Sequence, residues 1–267
     1  MAAGARSDSS SGNLEIWLTD LLRNTPTRFT FHPGPDFDPV WSPDGKELIY
    51  YSSQAGGTLF RKAASGAGNP VRLLESADPQ YPTSWSSDGG YLLYTVMSGK
   101  DQAGIMALPL KGDRKPFVFL NTPFSEAHAR FSPDGRWIAY ESNESGTFQI
   151  YVQAFSGKPA SGAKWQISTN GGTEPQWRGD GKELFYLGPN GAMMSVSVTA
   201  SVPADGGRFQ SGAPVVLISS GIRSTSFFAP SYTVTRDGKR FLVGDNAPDE
   251  QTRPITLVVN WQAASRR

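Results

Sequence analysis

The chain contains no cysteine, which excludes disulfides and thiolate metal sites together. Histidine is nearly absent as well: His32 and His128 are the whole supply, so any triad chemistry must use one of two residues. No run approaches the roughly 20 apolar residues that a membrane helix needs. The opening MAAGARSDSSSGN also lacks the apolar core of a signal peptide. An excess of one charge is missing too, since 25 Lys and Arg face 24 Asp and Glu without local concentration; nucleic acid and anionic lipid are poor partners on that ground. The motifs G-x-S-x-G, H-E-x-x-H and G-x-x-x-x-G-K-[ST] do not occur. No segment has the length and 3.6-residue period of a long amphipathic helix.

What is present is a repeat. FSPDGRWIAY, from Phe131 to Tyr140, recurs in variants aligned on Asp44-Gly45, Asp88-Gly89, Asp134-Gly135, Asp180-Gly181 and Asp237-Gly238, in steps of 44, 46, 46 and 57 residues. Three residues before each Asp stand Trp41, Trp85, Phe131, Trp177 and Val234. Three and five after each Gly stand Leu48 and Tyr50, Leu92 and Tyr94, Ile138 and Tyr140, Leu184 and Tyr186, Phe241 and Val243. Asp-Gly suits a tight hairpin turn because glycine takes positive φ without steric cost, and apolar residues two apart on a strand share one face. A single hairpin cannot bury that face, so the copies must stack, and a period near 45 residues with four strands per unit reads as propeller blades.

The fold class expected is therefore all-β: a β-propeller of four-stranded antiparallel blades over residues 13–262, preceded by a disordered arm at 1–12. Leu14–Leu21 and Thr27–Phe31 read as the outer strands of a first, partial blade, and Ser231–Thr235, Phe241–Asp245 and Ile255–Trp261 as three strands of a last one. The strands exceed five blades by one and fall short of six by three. Five full blades, with Thr27–Phe31 closing the last as its fourth strand, is the preferred arrangement, and an incomplete six-bladed ring is the alternative. Thr199–Gly212, with Pro203, Asp205, Gly206 and Gly207, reads as an enlarged surface loop.

SPDGRW differs from a sialidase Asp-box because Gly135 follows Asp134 directly and Trp137 comes one place early. Five copies of one carboxylate argue for turn formers that accept local backbone N–H bonds. The regular aromatics Trp41, Trp85, Phe131 and Trp177 read as inter-blade core; Phe227, Phe228 and Tyr232 are less regular and receive no ligand. The candidate site lies just before each inner strand, at Asp36 and Asp38, Asp78 and Gln80, Glu126 and His128, Thr173 and Glu174, Pro230 and Ser231. In a propeller these positions converge on one channel mouth. From them Asp38, Glu126, His128 and Glu174 are expected to bind ligand, with Asp38 and Glu174 as metal ligands, calcium being the cofactor that suits their oxygens. His128 fits better as a general base or a zinc ligand.

PVWSPDGKELIYYSS, FSPDGRWIAYESNESG and KWQISTNGGTEPQWRGDGKELFYL resemble the WD40-like PD40 repeats of TolB-type propellers. The likeness is closer to the propeller regions that follow the kinase domain of bacterial, notably acidobacterial, serine/threonine protein kinases. There too a TPTRFTF-like strand leads in, a GDRKPF-like segment lies midway and a PITLVVNW-like strand ends the region. The resemblance covers about Leu14 to Trp261 and implies a binding or sensing propeller with no family catalytic residues. The kinase motifs H-R-D, D-F-G and V-A-I-K are missing, which excludes phosphoryl transfer by that route. Two functions follow as expectations. The first is a non-catalytic, monomeric propeller holding a protein or peptide partner in a signalling or envelope assembly. The second is a calcium-dependent lactonase or esterase with His128 at its centre. Localisation is expected to be soluble, and periplasmic or cytoplasmic if the chain is a piece of a longer protein.

Overall fold

In the computed structural model of the chain the repeated aspartates serve their own turns. Asp44 accepts from Ser42 Oγ at 2.7 Å and Lys46 N at 3.1 Å, Asp88 from Ser86 Oγ at 2.6 Å and Gly90 N at 2.8 Å, and Asp134 from Ser132 Oγ at 2.5 Å and Arg136 N at 3.1 Å. Each serine hydroxyl in turn accepts from the amide five residues on, Glu47, Tyr91 or Trp137. In the fourth copy Arg178 takes the serine's place and grips Asp180 through Nε at 2.7 Å and Nη2 at 2.8 Å. The turn glycine is left-handed in every copy, as at Gly45 (φ 69°) and Gly135 (φ 72°), which is why the second turn residue cannot carry a side chain cheaply.

The structure describes residues 1–8, 12–76, 78–97, 102–201, 208–219, 221–222, 230–244 and 256–259. These form six antiparallel sheets, here I to VI, of which sheet I runs Ala2–Ser7, Leu14–Asp20, Thr25–Arg28. Sheet II runs Asp36–Trp41, Glu47–Ser52, Thr58–Ala63, Val71–Arg72, and sheet III runs Gln80–Trp85, Tyr91–Met97, Ala103–Pro109, Phe117–Leu120. Sheet IV runs Glu126–Phe131, Trp137–Ser142, Gln149–Ala154, Lys164–Gln166. Sheet V holds Thr173–Trp177, Glu183–Leu187, Met193–Ser201 and Val215–Ile218, with Arg208–Ser211 added on Met193–Ser201. Sheet VI has Tyr232–Val234, Arg240–Val243 and Thr256–Val259. Two short 3-10 turns, Gln54–Gly56 and Pro189–Gly191, are the helical elements among the described residues.

Neighbouring sheets share a layer of apolar side chains, and five such layers join I to II, II to III, III to IV, IV to V and V to VI. Leu48, Tyr50 and Phe60 meet Ile16, Leu18 and Phe29; Leu92 and Tyr94 meet Ile49 and Leu59; Ile138 and Tyr140 meet Leu93, Ile105 and Phe119. Leu184 and Tyr186 meet Trp137, Ile150 and Val152, and Phe241 meets Phe185 and Leu187. The repeat's tyrosines are therefore core: Tyr50, Tyr94, Tyr140 and Tyr186 are all buried. The aromatics at the inner strands behave as read from the sequence. Phe131 and Trp177 are buried, while Trp41 and Trp85 are half-buried against the adjoining layers.

Three details of the fold differ from the sequence reading. Ala2–Ser7, expected to be a disordered arm, lies as a strand against Leu14–Asp20, its backbone paired although its side chains are small and mostly exposed. Thr25–Arg28 pairs with Leu14–Asp20 in sheet I, so the closing strand proposed for the last blade belongs to the first sheet; the incomplete six-sheet count is the one observed. Within the enlarged loop after Val198, Met193–Ser201 pairs with Arg208–Ser211 and Phe209 packs on Trp137, Trp165 and Trp177, while Pro203, Asp205, Gly206 and Gly207 lie outside the described residues. Burying that ring gives the insertion a core contact that turn residues alone did not announce. Phe227, Phe228 and Trp261 lie outside the described residues.

Candidate functional site

Six residues before the turn aspartate, three inner strands break their ladder in the same way. The pairing register shifts between Phe37 and Val40, between Ala127 and Arg130, and between Thr173 and Gln176. Within these bulges Asp38 (φ 54°), His128 (φ 50°) and Glu174 (φ 55°) adopt left-handed backbone. Such backbone costs a residue with a β-carbon on the order of 1 kcal/mol or more, and bulges of this kind re-aim a side chain. The equivalent residue in sheet III is Pro82, whose ring fixes φ near −65° and forbids the conformation; there the register shifts by the same one residue, between Pro82 and Ser84, without a left-handed residue. Sheet VI has Ser231 at this position.

The re-aimed side chains meet in the middle of the ring. His128 Nδ1 lies 3.1 Å from Glu141 Oε2, and the same oxygen accepts the Glu174 amide at 2.8 Å. Glu174 spends its two carboxylate oxygens on Ser231, taking the backbone N–H at 2.6 Å and the hydroxyl at 2.8 Å, and its carbonyl accepts the Tyr232 hydroxyl at 2.9 Å. Arg130 donates Nη1 to the Thr83 carbonyl of sheet III, and its own carbonyl accepts Trp177 Nε1 at 3.2 Å. Inner strands of sheets III, IV, V and VI are thus laced by side chains as well as by apolar layers.

Electrostatics adds sheet II and locates the cluster. Asp38 is 4% exposed, and burial pushes its carboxyl up to about 7, opposed by the charges of His128 and Arg130. Sheets II and IV are not neighbours, so this mutual influence requires all three groups to approach the ring axis. Burial acts against charge on His128, but the Glu141 carboxylate, by charge and hydrogen bond, and then Glu174 outweigh it, leaving the imidazole raised despite Arg130. Burial lowers Arg130, with Tyr232, Glu174 and Asp38 acting in opposition. Burial and then Glu174 push the Tyr232 phenol well up, against the pull of Arg130.

Of the residues expected from sequence, Asp38, His128 and Glu174 do come together, and Glu126 does not join them. Its buried carboxylate is tied to the hydroxyl and amide of Thr122 in its own connecting loop. Asp36 is buried beside the Ser52 and Thr30 hydroxyls with its oxygens making no hydrogen bond, Gln80 accepts from Thr58 Oγ1 at 2.9 Å, and Asp78 is exposed. His32 accepts the Gly34 amide in a loop. Asp38 and Glu174 are the calcium ligands expected from sequence; both Glu174 oxygens accept from Ser231, and among the described residues no three His, Asp or Glu are grouped as a metal site.

Sequence reasoning passed over Arg130 and Glu141, which organise the cluster. Arg130 stands where the other copies have Val40, Ser84, Gln176 and Thr233, and Glu141 where they have Tyr51, Thr95, Leu187 and Gly244. A lone charge in an otherwise uncharged column of the repeat was the available signal.

Antiparallel sheets stacked about an axis lined by their inner strands define a β-propeller, here one with a buried polar centre. Its fold is TolB-like: the chain superposes on TolB from Acinetobacter baumannii with TM-score 0.66 at 16% identity, covering 92% of this chain and 58% of that one. It superposes on a putative TolB from Agrobacterium tumefaciens with TM-score 0.58 at 18% identity, covering 86% and 85%. An oligogalacturonate lyase in complex with manganese gives TM-score 0.57 at 15% identity, covering 93% and 83%. In sequence, the uncharacterized peptidase YuxL of Bacillus subtilis is 25% identical over 173 residues, 51% of this chain and 26% of its own length. The uncharacterized protein Atu1656 of Agrobacterium fabrum is 26% identical over 166 residues, 59% and 52%. The chain spans about a quarter and about half of these two curated relatives. No protein-family model matches the chain. Among the described residues no helix is long and apolar enough to cross a membrane.

Proposed function

We propose that this chain is a non-catalytic binding propeller that receives a protein or peptide partner at the polar mouth of its axis. The observation that carries this reading is the commitment of the central groups to one another. Glu174 is fixed by Ser231 and Glu141 by His128 and the Glu174 amide. Residues locked in this way hold the inner strands rigid beneath the mouth, which favours binding because little freedom remains to be lost. The fold likeness to TolB fits the same reading as an analogy of architecture. Attachment of such a propeller to a larger signalling or envelope protein belongs with this proposal.

A hydrolase is the second reading, favoured by one contact: the Glu141 carboxylate orients the His128 imidazole as a base is oriented in acid–base sites. One experiment separates the two. The full chain is used to select from a displayed library of random dodecapeptides, and in parallel is assayed on lactones, esters and short peptides. Selected peptides that compete with one another and slow amide exchange in 36–41 and 126–131 support the binding reading. Turnover abolished by His128→Ala, with no peptide selected, replaces it by the hydrolase.

A further inference from the structure

Six carboxylates are buried among the described residues: Glu15, Asp36, Asp38, Glu126, Glu141 and Glu174. Four have donors: Glu15 takes Arg28 at 2.6 Å and Thr30 at 2.9 Å, Glu126 has Thr122, Glu141 has His128 and the Glu174 amide, and Glu174 has Ser231. The oxygens of Asp36 and Asp38 are buried without a hydrogen-bond partner. Asp36 still has the Ser52 and Thr30 hydroxyls beside it, whereas on Asp38 burial is opposed by the charges of His128 and Arg130 alone. A buried carboxylate without donors is costly, and its persistence in a bulge that also strains the backbone points to a partner from outside.

The surroundings of Asp38 say which partner. Residue 37, beside it, begins a stack of three nearly parallel rings. Phe37 and Tyr51 lie 4.4 Å apart at 26°, Tyr51 and Tyr81 5.2 Å at 14°, and Phe37 and Tyr81 6.0 Å at 19°. Phe37 and Tyr81 occupy the same column of the repeat in sheets II and III and are half-buried, so the stack reaches solvent. It also reaches Asp38, whose charge helps push the Tyr81 phenol up, after burial and Tyr51. Aromatic walls next to a carboxylate are the chemistry that holds an ammonium or guanidinium group. The charge balance agrees. Asp38, Glu141 and Glu174 face Arg130 and His128, so an arriving anion would meet three carboxylates, whereas a cation completes the set.

We infer that the axis mouth takes a basic side chain, a lysine or arginine of the bound partner, with Asp38 as its counter-ion and the Phe37, Tyr51 and Tyr81 rings as its wall. The inference rests on the binding reading above and narrows it to the chemistry of the partner. Peptides selected from the dodecapeptide library are expected to share a lysine or arginine. A synthetic copy with norleucine or citrulline at that position should bind the full chain at least tenfold more weakly by calorimetry. Asp38→Asn, which keeps the side-chain shape, should abolish the preference between the basic peptide and its neutral copy while retaining a cooperative thermal transition.

A second measurement needs no variant. Binding of the basic peptide by the parent protein should tighten from pH 6 to pH 8, as Asp38, which faces His128 and Arg130, gives up its proton. Peptides that bind with no basic residue in common, or with an affinity indifferent to norleucine and to pH, would overturn the inference and leave the binding propeller standing. Failure to select any peptide would overturn both.

Discussion

Trp177 donates its indole N–H to the carbonyl oxygen of Arg130 across 3.2 Å, so the inner strand of sheet V braces the inner strand of sheet IV next to the residue that ties the axis together. The same indole packs edge-on to Phe209 and joins the apolar layer with Trp137 and Leu184. Trp177→Ala removes both the ring and the donor. Unfolding in denaturant should show a loss of about 3 to 5 kcal/mol, and a loss under about 1 kcal/mol would contradict this packing.

Asp38 gives a pH dependence of stability whose sign is fixed by the direction of its shift. Its carboxyl is raised from 3.8 to about 7 in the folded chain, so the fold binds this proton more tightly than the unfolded state. The favourable contribution is therefore complete below pH 3.8, declines as pH rises between those values, and is gone above about 7. Asp38→Asn should flatten this decline. Compared by thermal or urea unfolding, the variant should gain on the parent between pH 5 and pH 8, by an amount on the order of 2 to 4 kcal/mol at most. A constant difference across that range would contradict the burial of an ionisable Asp38.

Ser231→Ala tests the lacing between sheets V and VI. It deletes the hydroxyl that donates to Glu174 at 2.8 Å and leaves the backbone donor in place. A hydrogen bond to a buried carboxylate is worth about 1.5 to 3 kcal/mol, and the variant should lose stability in that range at pH 7. A loss within experimental error would show that the contact carries no weight.

The imidazole of His128 is raised because Glu141, and after it Glu174, outweigh burial and Arg130. Such a group adds stability that is present below its unfolded value and fades as pH rises through its folded one. Glu141→Gln removes the charge while its amide oxygen can still accept the Glu174 amide. Proton NMR of the two histidine signals should show that of His128 titrating at lower pH in the variant. A titration that stays where it is in the parent protein would remove Glu141 as the cause.

The hairpins were legible because Asp-Gly and its flanking apolar residues state a local geometry, and local geometry is what a sequence encodes most directly. Asp38, His128 and Glu174 were legible for the same reason, since each sits six residues before a turn of known position. What position did not give is the use of the Glu174 oxygens: Ser231, 57 residues on, donates to both. Ala2–Ser7 had no alternation of apolar and polar residues to betray a strand, because its pairing with Leu14–Asp20 runs through the backbone. Arg130 needed the columns of the repeat to be compared with each other.

The position six residues ahead of each turn, left-handed at Asp38, His128 and Glu174, has a further consequence for how such a ring can change. Asp38, His128 and Glu174 belong to none of the apolar layers that seat their sheets, and their side chains join the central polar cluster. Aspartate, proline, histidine, glutamate and serine occupy it in the five copies, and the hairpin architecture is common to all of them. Selection can therefore rewrite the chemistry of the centre one copy at a time, with substitutions at a single column, while the scaffold that presents it stays untouched.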